Sequence, residues 1–257
     1  MPLPKPTPLK AINSFLDPPP LPWEGRRRAL LIGINYRYEK CDKYPPLKGP
    51  SNDIKKMKQL LISQYQFGDH EIVIMTDDDE KMSGTDLWPT CDNIVKQIEV
   101  LVHDAEPHDF FIFHFAGHCS QQEAVDDPTE VDGLNEVLIG CDFRGLVDDR
   151  DASTWQNAKS RYASMKIKMM AIVRFSRAAR KQKSRRAKHL FTCGEQCQHT
   201  LHGDAVVVSL SACLDHQVTW EDRRDQGAAM TDTLIKILEK DPAITLRDVE
   251  QQLRFYF

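Results

Sequence analysis

Short, continuously apolar runs alternate along the chain with longer segments whose apolar residues recur every three or four positions. The short runs are typical of buried parallel strands, and the longer spacing is typical of helices that cover them. The pattern predicts strands at residues 29–34, 71–76, 109–116, 137–141 and 204–210, and helices at 51–65, from 89 onward, 228–239 and 245–253. Together these elements predict an α/β fold, with a mostly parallel central sheet flanked by helices.

One stretch breaks this alternation. Residues 165–190 are predicted to be mostly helical, and residues 174–188 carry many Lys and Arg and no acid. Such a basic helix can bind nucleic acid, a calmodulin-like partner or a nuclear import receptor, or it can be a solvated surface insertion. We predict an insertion at about residues 160–190 within one domain that spans residues 26–257.

The first 25 residues have a different composition from the rest. Pro18 to Pro20 and Pro22 oppose both helix and sheet, which predicts a weakly ordered arm. The arm is either a flexible leader or a ligand for a partner that reads polyproline II. It lacks the apolar core of a signal peptide, and no apolar run in the chain reaches the length needed to span a membrane.

Charge and cysteine content narrow the class of protein. The formal net charge of the 257 residues is -4, which gives no overall signature of nucleic-acid binding. The 7 cysteines are odd in number and lack the spacing of a disulfide framework, which suits a reducing compartment. We therefore expect a protein of the cytoplasm or nucleus, with no membrane partner and no general affinity for nucleic acid.

The strand predicted at residues 109–116 ends in Gly117 and His118. In open α/β sheets, ligands and catalytic groups collect at the carboxyl ends of the strands, and an imidazole there is suited to acid–base chemistry. A histidine can also simply end a strand. The residues around His118 favour the functional interpretation.

Those residues resemble the histidine loop of metacaspases, the caspase-like cysteine peptidases of fungi, plants and protists. FAGHCSQ at residues 115–121, followed by DGLNEV at 132–137, is similar to the family's YSGHGSQ and DGxDE. Three further stretches agree in the same order: ALLIGINY at 29–36, LKGPSND at 47–53 and SLSACLDHQ at 209–217. The resemblance covers about residues 26–250. It implies a caspase-like fold and hydrolysis of peptide bonds after Arg or Lys in protein substrates.

The resemblance also implies roles for individual residues. His118 would act as general base and acid, and the backbone N–H of Cys119, a position that is usually Gly, would donate to the oxyanion. Asp53 and Asp215 would line the pocket for a basic side chain, although Asp53 can alternatively cap a helix with Ser51. Calcium ligands would be Asp132, Asp148 and Asp149, which could equally belong to an exposed acidic loop.

The family's nucleophile motif, DSCHSG, does not occur in the sequence. Residues 170–177 lie at about the right distance from His118, but they offer Ser and Arg instead of the Asp-Ser-Cys-His series. The sequence therefore predicts that the nucleophile-bearing strand and its loop are lost. Cys193 and Cys213 are weak substitutes for the nucleophile, and Cys193 with Cys197, His199 and His202 is too compact for a usual structural zinc site.

Three functions remain open at this point. The first hypothesis, which the resemblance implies, is a metacaspase-type endopeptidase domain that is inactive as it stands because the nucleophile segment is absent. Alternatively, it is a pseudo-peptidase that binds and regulates other proteins. The third hypothesis is a binder of nucleic acid or an import receptor through the basic helix, for which a steep salt dependence of binding is the discriminating observation.

Overall fold

The computed structural model describes residues 25–106, 109–123, 134–147, 168–170, 175–176, 206–208, 221–222 and 227–256. A central sheet of five strands runs in the order β2-β1-β3-β7-β9, and every neighbouring pair in it is parallel. A second sheet has the order β6-β5-β4-β8. The α/β fold with a mostly parallel sheet is confirmed.

The strands are β1 (Arg27–Gly33), β2 (Ile72–Thr76), β3 (Phe110–Ala116), β4 (His118–Glu123), β5 (Leu134–Ile139), β6 (Gly145–Val147), β7 (Lys168–Met170), β8 (Phe175–Ser176), β9 (Val206–Val208), β10 (Glu221–Asp222) and β11 (Gly227–Ala228). The helices are α1 (Pro50–Ser63), α2 (Cys91–Val102), α3 (Ala229–Lys240) and α4 (Leu246–Tyr256), with short 3-10 turns at Asp69–Glu71 and Glu80–Met82. Among the helices of this described part, none is long and apolar enough to cross a membrane.

Apolar side chains on the two faces of the central sheet form two cores. On one face, α1, α3 and α4 pack against alternate residues of β1 and β3, including Leu31 and Ile112. On the other face, α2 packs against Leu30, Phe111 and Phe113. Since β1 and β3 are buried on both faces, their continuous apolar sequence is explained.

Two short strands replace part of the predicted basic helix. β7 pairs in parallel with β3, with Lys168 opposite Phe110, and β8 pairs in parallel with β4. The helix predicted across 165–190 is therefore wrong at residues 168–170 and 175–176. A short apolar run does not distinguish helix from strand. Here residues 168–170 are a strand because they pair with the backbone of β3. The sequence predicts that the strand carrying the family's nucleophile is lost. In the structure, β7 lies beside β3 in the place of that strand.

Besides β8, the second sheet contains two more strands that the apolar pattern did not predict, β4 and β6. β4 consists largely of polar residues and pairs antiparallel with β5, with Cys119 opposite Leu138. β5 begins at Leu134, three residues before the predicted strand at 137–141. His118 therefore begins a strand directly after β3, and this strand is paired with β8 on one side and with β5 on the other.

Three consecutive arginines anchor the amino end of β1. Arg26 forms an ion pair with Asp109 at 3.0 Å. The guanidinium of Arg27 donates to the carbonyl oxygens of two residues just after α1. Arg28 donates to the carbonyls of Val100, Leu101 and His103 at the end of α2. Cations at helix carboxyl ends are stabilising, so this basic triplet serves the fold itself.

His114 on β3 is fully buried, and among the described residues neither ring nitrogen has a hydrogen-bond partner. Burial lowers the pKa of His114 to about 4. Because the unfolded chain binds this proton near pH 6.5, stability falls as the pH drops from about 6.5 towards 4. Between pH 7.5 and pH 5.5, His114 should cost about 1.4 kcal/mol of the free energy of unfolding.

His114→Leu is expected to remove this part of the pH dependence, and to leave stability at pH 7.5 unchanged or raised, because no buried polar group is left unpaired. Urea unfolding of the parent and of His114→Leu at pH 7.5 and pH 5.5 measures how the free energy of unfolding depends on pH. His70→Leu, at an exposed histidine, is the control and should keep the parent's pH dependence. Equal pH dependence in the parent and His114→Leu would show that His114 does not titrate as its burial requires.

Candidate active site

The carboxyl ends of β1, β2 and β3 meet at one edge of the central sheet. Gly33, the last residue of β1, is in register with Thr76 of β2 and with Ala116 of β3. The residues that follow these strands therefore lie together, as parallel pairing requires. Asn35 and Tyr36 follow β1, Asp77 and Asp78 follow β2, and Gly117 and His118 follow β3.

Contacts on several sides fix the imidazole of His118. Its Nε2 lies 2.7 Å from the carbonyl oxygen of Pro45. The ring centroid is 4.7 Å from that of Tyr36 and 5.4 Å from that of Tyr44. Only 3% of the residue is exposed. The ring is therefore held in one orientation.

The contact with Pro45 selects one tautomer of His118. A carbonyl oxygen only accepts hydrogen bonds, so Nε2 must carry the proton. In the neutral ring, the lone pair is then on Nδ1, which is the basic nitrogen. Acid–base chemistry at His118 would therefore use Nδ1.

Two aromatic residues near His118 have backbone conformations that bulky side chains rarely adopt. Tyr36 has φ 56° and Phe143 has φ 57°. Their rings stack at 5.9 Å, and Phe143 also stacks on Tyr44 at 6.3 Å. A left-handed conformation costs such residues roughly 1–2 kcal/mol each. Strain of this kind is concentrated at functional sites, where the surrounding contacts hold it in place.

Asp77 holds the strained turn after β1. Its carboxylate accepts the backbone N–H of Asn35 at 2.7 Å and that of Tyr36 at 2.6 Å. Only 1% of Asp77 is exposed. Burial raises the pKa of Asp77, and the hydrogen bonds from these N–H groups oppose that shift. The carboxylate therefore acts as a buried clamp on the segment that carries Tyr36.

Asp53 lies in the first turn of α1 and is fully buried. The N-cap of α1 is Gly49, so the alternative role of Asp53 and Ser51 as helix caps is wrong. A Cβ on Gly33 would lie 2.6 Å from the carbonyl oxygen of Pro50, so glycine allows the start of α1 to approach β1. This approach brings Asp53 to the same edge of the sheet as His118.

Four polar groups contact the carboxylate of Asp78. It accepts from the hydroxyl of Ser51 at 2.7 Å and from the side-chain amide of Asn35 at 3.0 Å. Two cations also lie close, Lys55 Nζ at 3.3 Å and Arg37 Nη1 at 3.6 Å. Ser51 is therefore a partner of Asp78 and does not cap α1. Together with Asp53 and Asp77, Asp78 gives this edge of the sheet a concentration of carboxylates.

Four cysteines lie among the described residues, at positions 41, 91, 119 and 141. Cys119 is extended in β4 and buried, so replacing the usual glycine there creates no left-handed strain in this conformation. Burial, with Asp142 nearby, raises the pKa of Cys141 to about 12, so its thiol is not a thiolate at neutral pH. The sequence has no cysteine between Cys141 and Cys193, so none follows β7 in the nucleophile's expected place.

Several predicted site residues lie outside the described part of the chain. They are the pocket residue Asp215, the weak nucleophile candidates Cys193 and Cys213, and the calcium candidates Asp132, Asp148 and Asp149. Their roles stay predictions. The structure places His118, Cys119 and Asp53 at or beside one edge of the sheet.

A family model, "Metacaspase, peptidase C14 domain", matches residues 27–173, which include β1 to β7 and His118. The chain belongs to this family. Fungal metacaspases agree with it: the chain is 38% identical over 133 residues to Metacaspase-1 of Pyricularia oryzae, and 38% identical over 128 residues to Metacaspase-1A of Aspergillus niger. The match with Metacaspase-1 of Schizosaccharomyces pombe is also 38% identical, over 129 residues. The resemblance predicted from the sequence motifs is confirmed.

These matches cover about half of this metacaspase chain and less than a third of each relative. The shares of the two chains are 51% and 32% for the Pyricularia protein, and 49% and 30% for the Aspergillus protein. Among solved structures, protein GSU0716 from Geobacter sulfurreducens has a TM-score of 0.56 and covers 90% of this chain, with 89% of its own chain covered. At 13% identity, this likeness concerns the fold alone.

The sequence motifs did not identify several residues that hold the metacaspase histidine. Tyr36, Tyr44, Pro45, Asp77 and Phe143 all contact His118 or the segments that position it. One signal was present in the sequence, since Tyr36 and Asp77 each follow a predicted strand. Their contact required the strand order, which places β1 between β2 and β3.

Proposed function

We propose that this chain is a metacaspase-type cysteine endopeptidase domain that binds peptides at Arg or Lys, and that it does not hydrolyse them as it stands. The observation that carries this proposal is the contrast between the fixed imidazole of His118 and a sequence that has no cysteine between Cys141 and Cys193, the stretch in which the nucleophile is expected. His118 is fixed with Nδ1 as its basic nitrogen. A thiolate is the nucleophile that such a base would activate.

The proposed preference for Arg or Lys rests on family resemblance and on the carboxylates at the edge of the sheet. Three acidic residues, Asp53, Asp77 and Asp78, lie there, and negative charge favours a basic substrate side chain. Asp53 is wholly buried, so a substrate's basic group would reach it only after neighbouring residues move. Asp215 would complete this pocket by resemblance.

Calcium dependence and location are also part of the proposal. The resemblance supports calcium binding by Asp132, Asp148 and Asp149, because carboxylate oxygens suit this hard cation. The cysteine content favours a reducing compartment, the cytoplasm or nucleus. A fixed histidine without its nucleophile is also compatible with a pseudo-peptidase that binds partners without cleaving them. The partners would then bind the proline-rich arm or the basic segment.

The test is to measure hydrolysis and binding of one peptide pair, with calcium and with a chelator. A fluorogenic Arg peptide should not be cleaved above the rate of His118→Ala. The uncleaved Arg peptide should bind at least about ten-fold more tightly than its Gln counterpart, since a charge-assisted pair is lost with Gln. Asp53→Asn should reduce that difference.

The outcomes separate the parts of the proposal. Calcium-stimulated cleavage that is lost in His118→Ala would contradict the proposed inactivity and indicate that another cysteine serves as nucleophile. Equal binding of the Arg and Gln peptides would contradict the proposed preference. Binding that weakens steeply with salt and is lost when residues 174–188 are deleted would instead support the basic-segment hypothesis.

A further inference from the structure

We propose that Tyr36, clamped by Asp77, is the positioning residue that fixes His118 for acid–base chemistry. The hydroxyl of Tyr36 connects the strand that carries His118 to the end of β5. The proposal deepens the proposed function, since it matters for catalysis only if His118 is the general base. Its structural part, the control of the imidazole by Tyr36, is measurable without activity.

The hydroxyl of Tyr36 forms two buried hydrogen bonds. It donates to the carbonyl oxygen of Ile139 at 2.6 Å and accepts the backbone N–H of His118 at 2.9 Å. The tyrosine is 1% exposed, and burial raises its pKa well above the usual value, so the hydroxyl keeps its proton. The hydroxyl therefore uses its proton to bind the end of β5 and a lone pair to bind the start of β4.

The two anchors on His118 act at different ends of the residue. Tyr36 holds the backbone N–H, and Pro45 holds the ring at Nε2. With the backbone fixed by Tyr36, the imidazole cannot turn without breaking the hydrogen bond between Nε2 and Pro45. The Tyr36 ring, 4.7 Å from the imidazole, occupies the space into which the ring would otherwise rotate.

Asp77 keeps Tyr36 in its unusual conformation. At φ 56°, Tyr36 would relax to a right-handed or extended backbone if nothing opposed it. The carboxylate of Asp77 accepts the N–H groups of both Asn35 and Tyr36. The backbone conformation of this turn directs both N–H groups towards that one carboxylate. The strain in Tyr36 is therefore balanced by a buried acceptor on the neighbouring strand.

Gly117 permits the approach of the tyrosine hydroxyl to the histidine loop. A Cβ at this position would lie 2.8 Å from Tyr36 Oη and 2.9 Å from the ring of Phe115. Any larger residue would push the hydroxyl away from the His118 N–H. The glycine before His118 is therefore explained by the presence of Tyr36.

The test compares the tautomer of His118 in the parent chain and in Tyr36→Phe by nitrogen-15 NMR, with His118→Gln used to assign the signals. The parent should hold His118 as the Nε2–H tautomer. Loss of the hydroxyl should lower the ratio of the Nε2–H to the Nδ1–H tautomer by about five-fold, the equilibrium equivalent of one hydrogen bond. Tyr65→Phe makes the same chemical change at a half-buried tyrosine just after the far end of α1 and should leave His118 unchanged.

Asp77→Asn provides a second variant that keeps an acceptor oxygen but loses the charge, and it should shift the tautomer ratio in the same direction by a smaller factor. A parent-like His118 in a folded Tyr36→Phe would overturn the proposal, whether or not the chain has peptidase activity. An altered His118 in Tyr65→Phe would also overturn it, because the effect would then not be specific to Tyr36. Failure of the proposed function would show separately, as cleavage of the Arg peptide by the parent chain or as equal binding of the Arg and Gln peptides.

Discussion

A cysteine placed after β7 is expected to give this chain peptidase activity that depends on His118. Ser176 is in backbone register with Cys119, and Phe175 is in register with His118 itself. Backbones of paired strands lie about 4.8 Å apart, so a residue here is within reach of the histidine loop. Ser176→Cys should hydrolyse an Arg peptide that the parent does not hydrolyse.

Adding His118→Ala to Ser176→Cys should lower that rate by about 10² to 10⁴-fold, the usual contribution of a positioned general acid–base group. Phe175→Cys is the second placement, because two adjacent positions in a strand face opposite sides. Alanine at position 176 or 175 is the matched control for each cysteine variant, and both alanine variants should remain inactive. Two folded cysteine variants without activity would contradict the claim that the nucleophile is the missing part of this site.

Asp77→Ala is expected to be the most destabilising single substitution in the described site. It would leave the buried N–H groups of Asn35 and Tyr36 without their acceptor. Each unpaired buried group costs about 1–3 kcal/mol, so the free energy of unfolding should fall by roughly 2–6 kcal/mol for the two N–H groups together. Urea unfolding followed by circular dichroism measures this loss.

Asp79→Ala is the matched control two residues away. Asp79 is exposed and accepts the backbone N–H of Lys81 at 3.0 Å at the start of a short 3-10 turn. Its removal should cost about 1 kcal/mol or less. Equal losses from Asp77→Ala and Asp79→Ala would show that the carboxylate of Asp77 does not clamp the turn after β1.

The sequence predicted the elements whose stability comes from burial. β1 and β3 are continuous apolar runs because both of their faces are covered, and α1 carries Ile54, Met57 and Leu60 on the face that meets the sheet. β4 was not predicted, since its polar residues are held in place by backbone pairing with β5 and β8. Around residues 168–170, the basic sequence that follows obscured a strand that completes the edge of β3.

The candidate site was only partly visible in the sequence. His118 could be identified because its neighbours resemble a known motif. Tyr36 and Asp77 lie 41 positions apart, and Tyr36 and His118 lie 82 positions apart. These contacts depend on which strands are adjacent and on one left-handed residue, and neither follows from local apolar periodicity.

The most direct test of the account is covalent labelling of the chain with a thiol-directed Arg affinity reagent, followed by mass spectrometry of the labelled peptide. Ser176→Cys is expected to be labelled at position 176, at a rate that falls when His118 is replaced by Ala. No His118-dependent labelling of the parent chain is expected. A parent chain labelled at Cys193 or Cys213, at a rate that depends on His118, would contradict the central claim that an ordered catalytic histidine lacks its nucleophile.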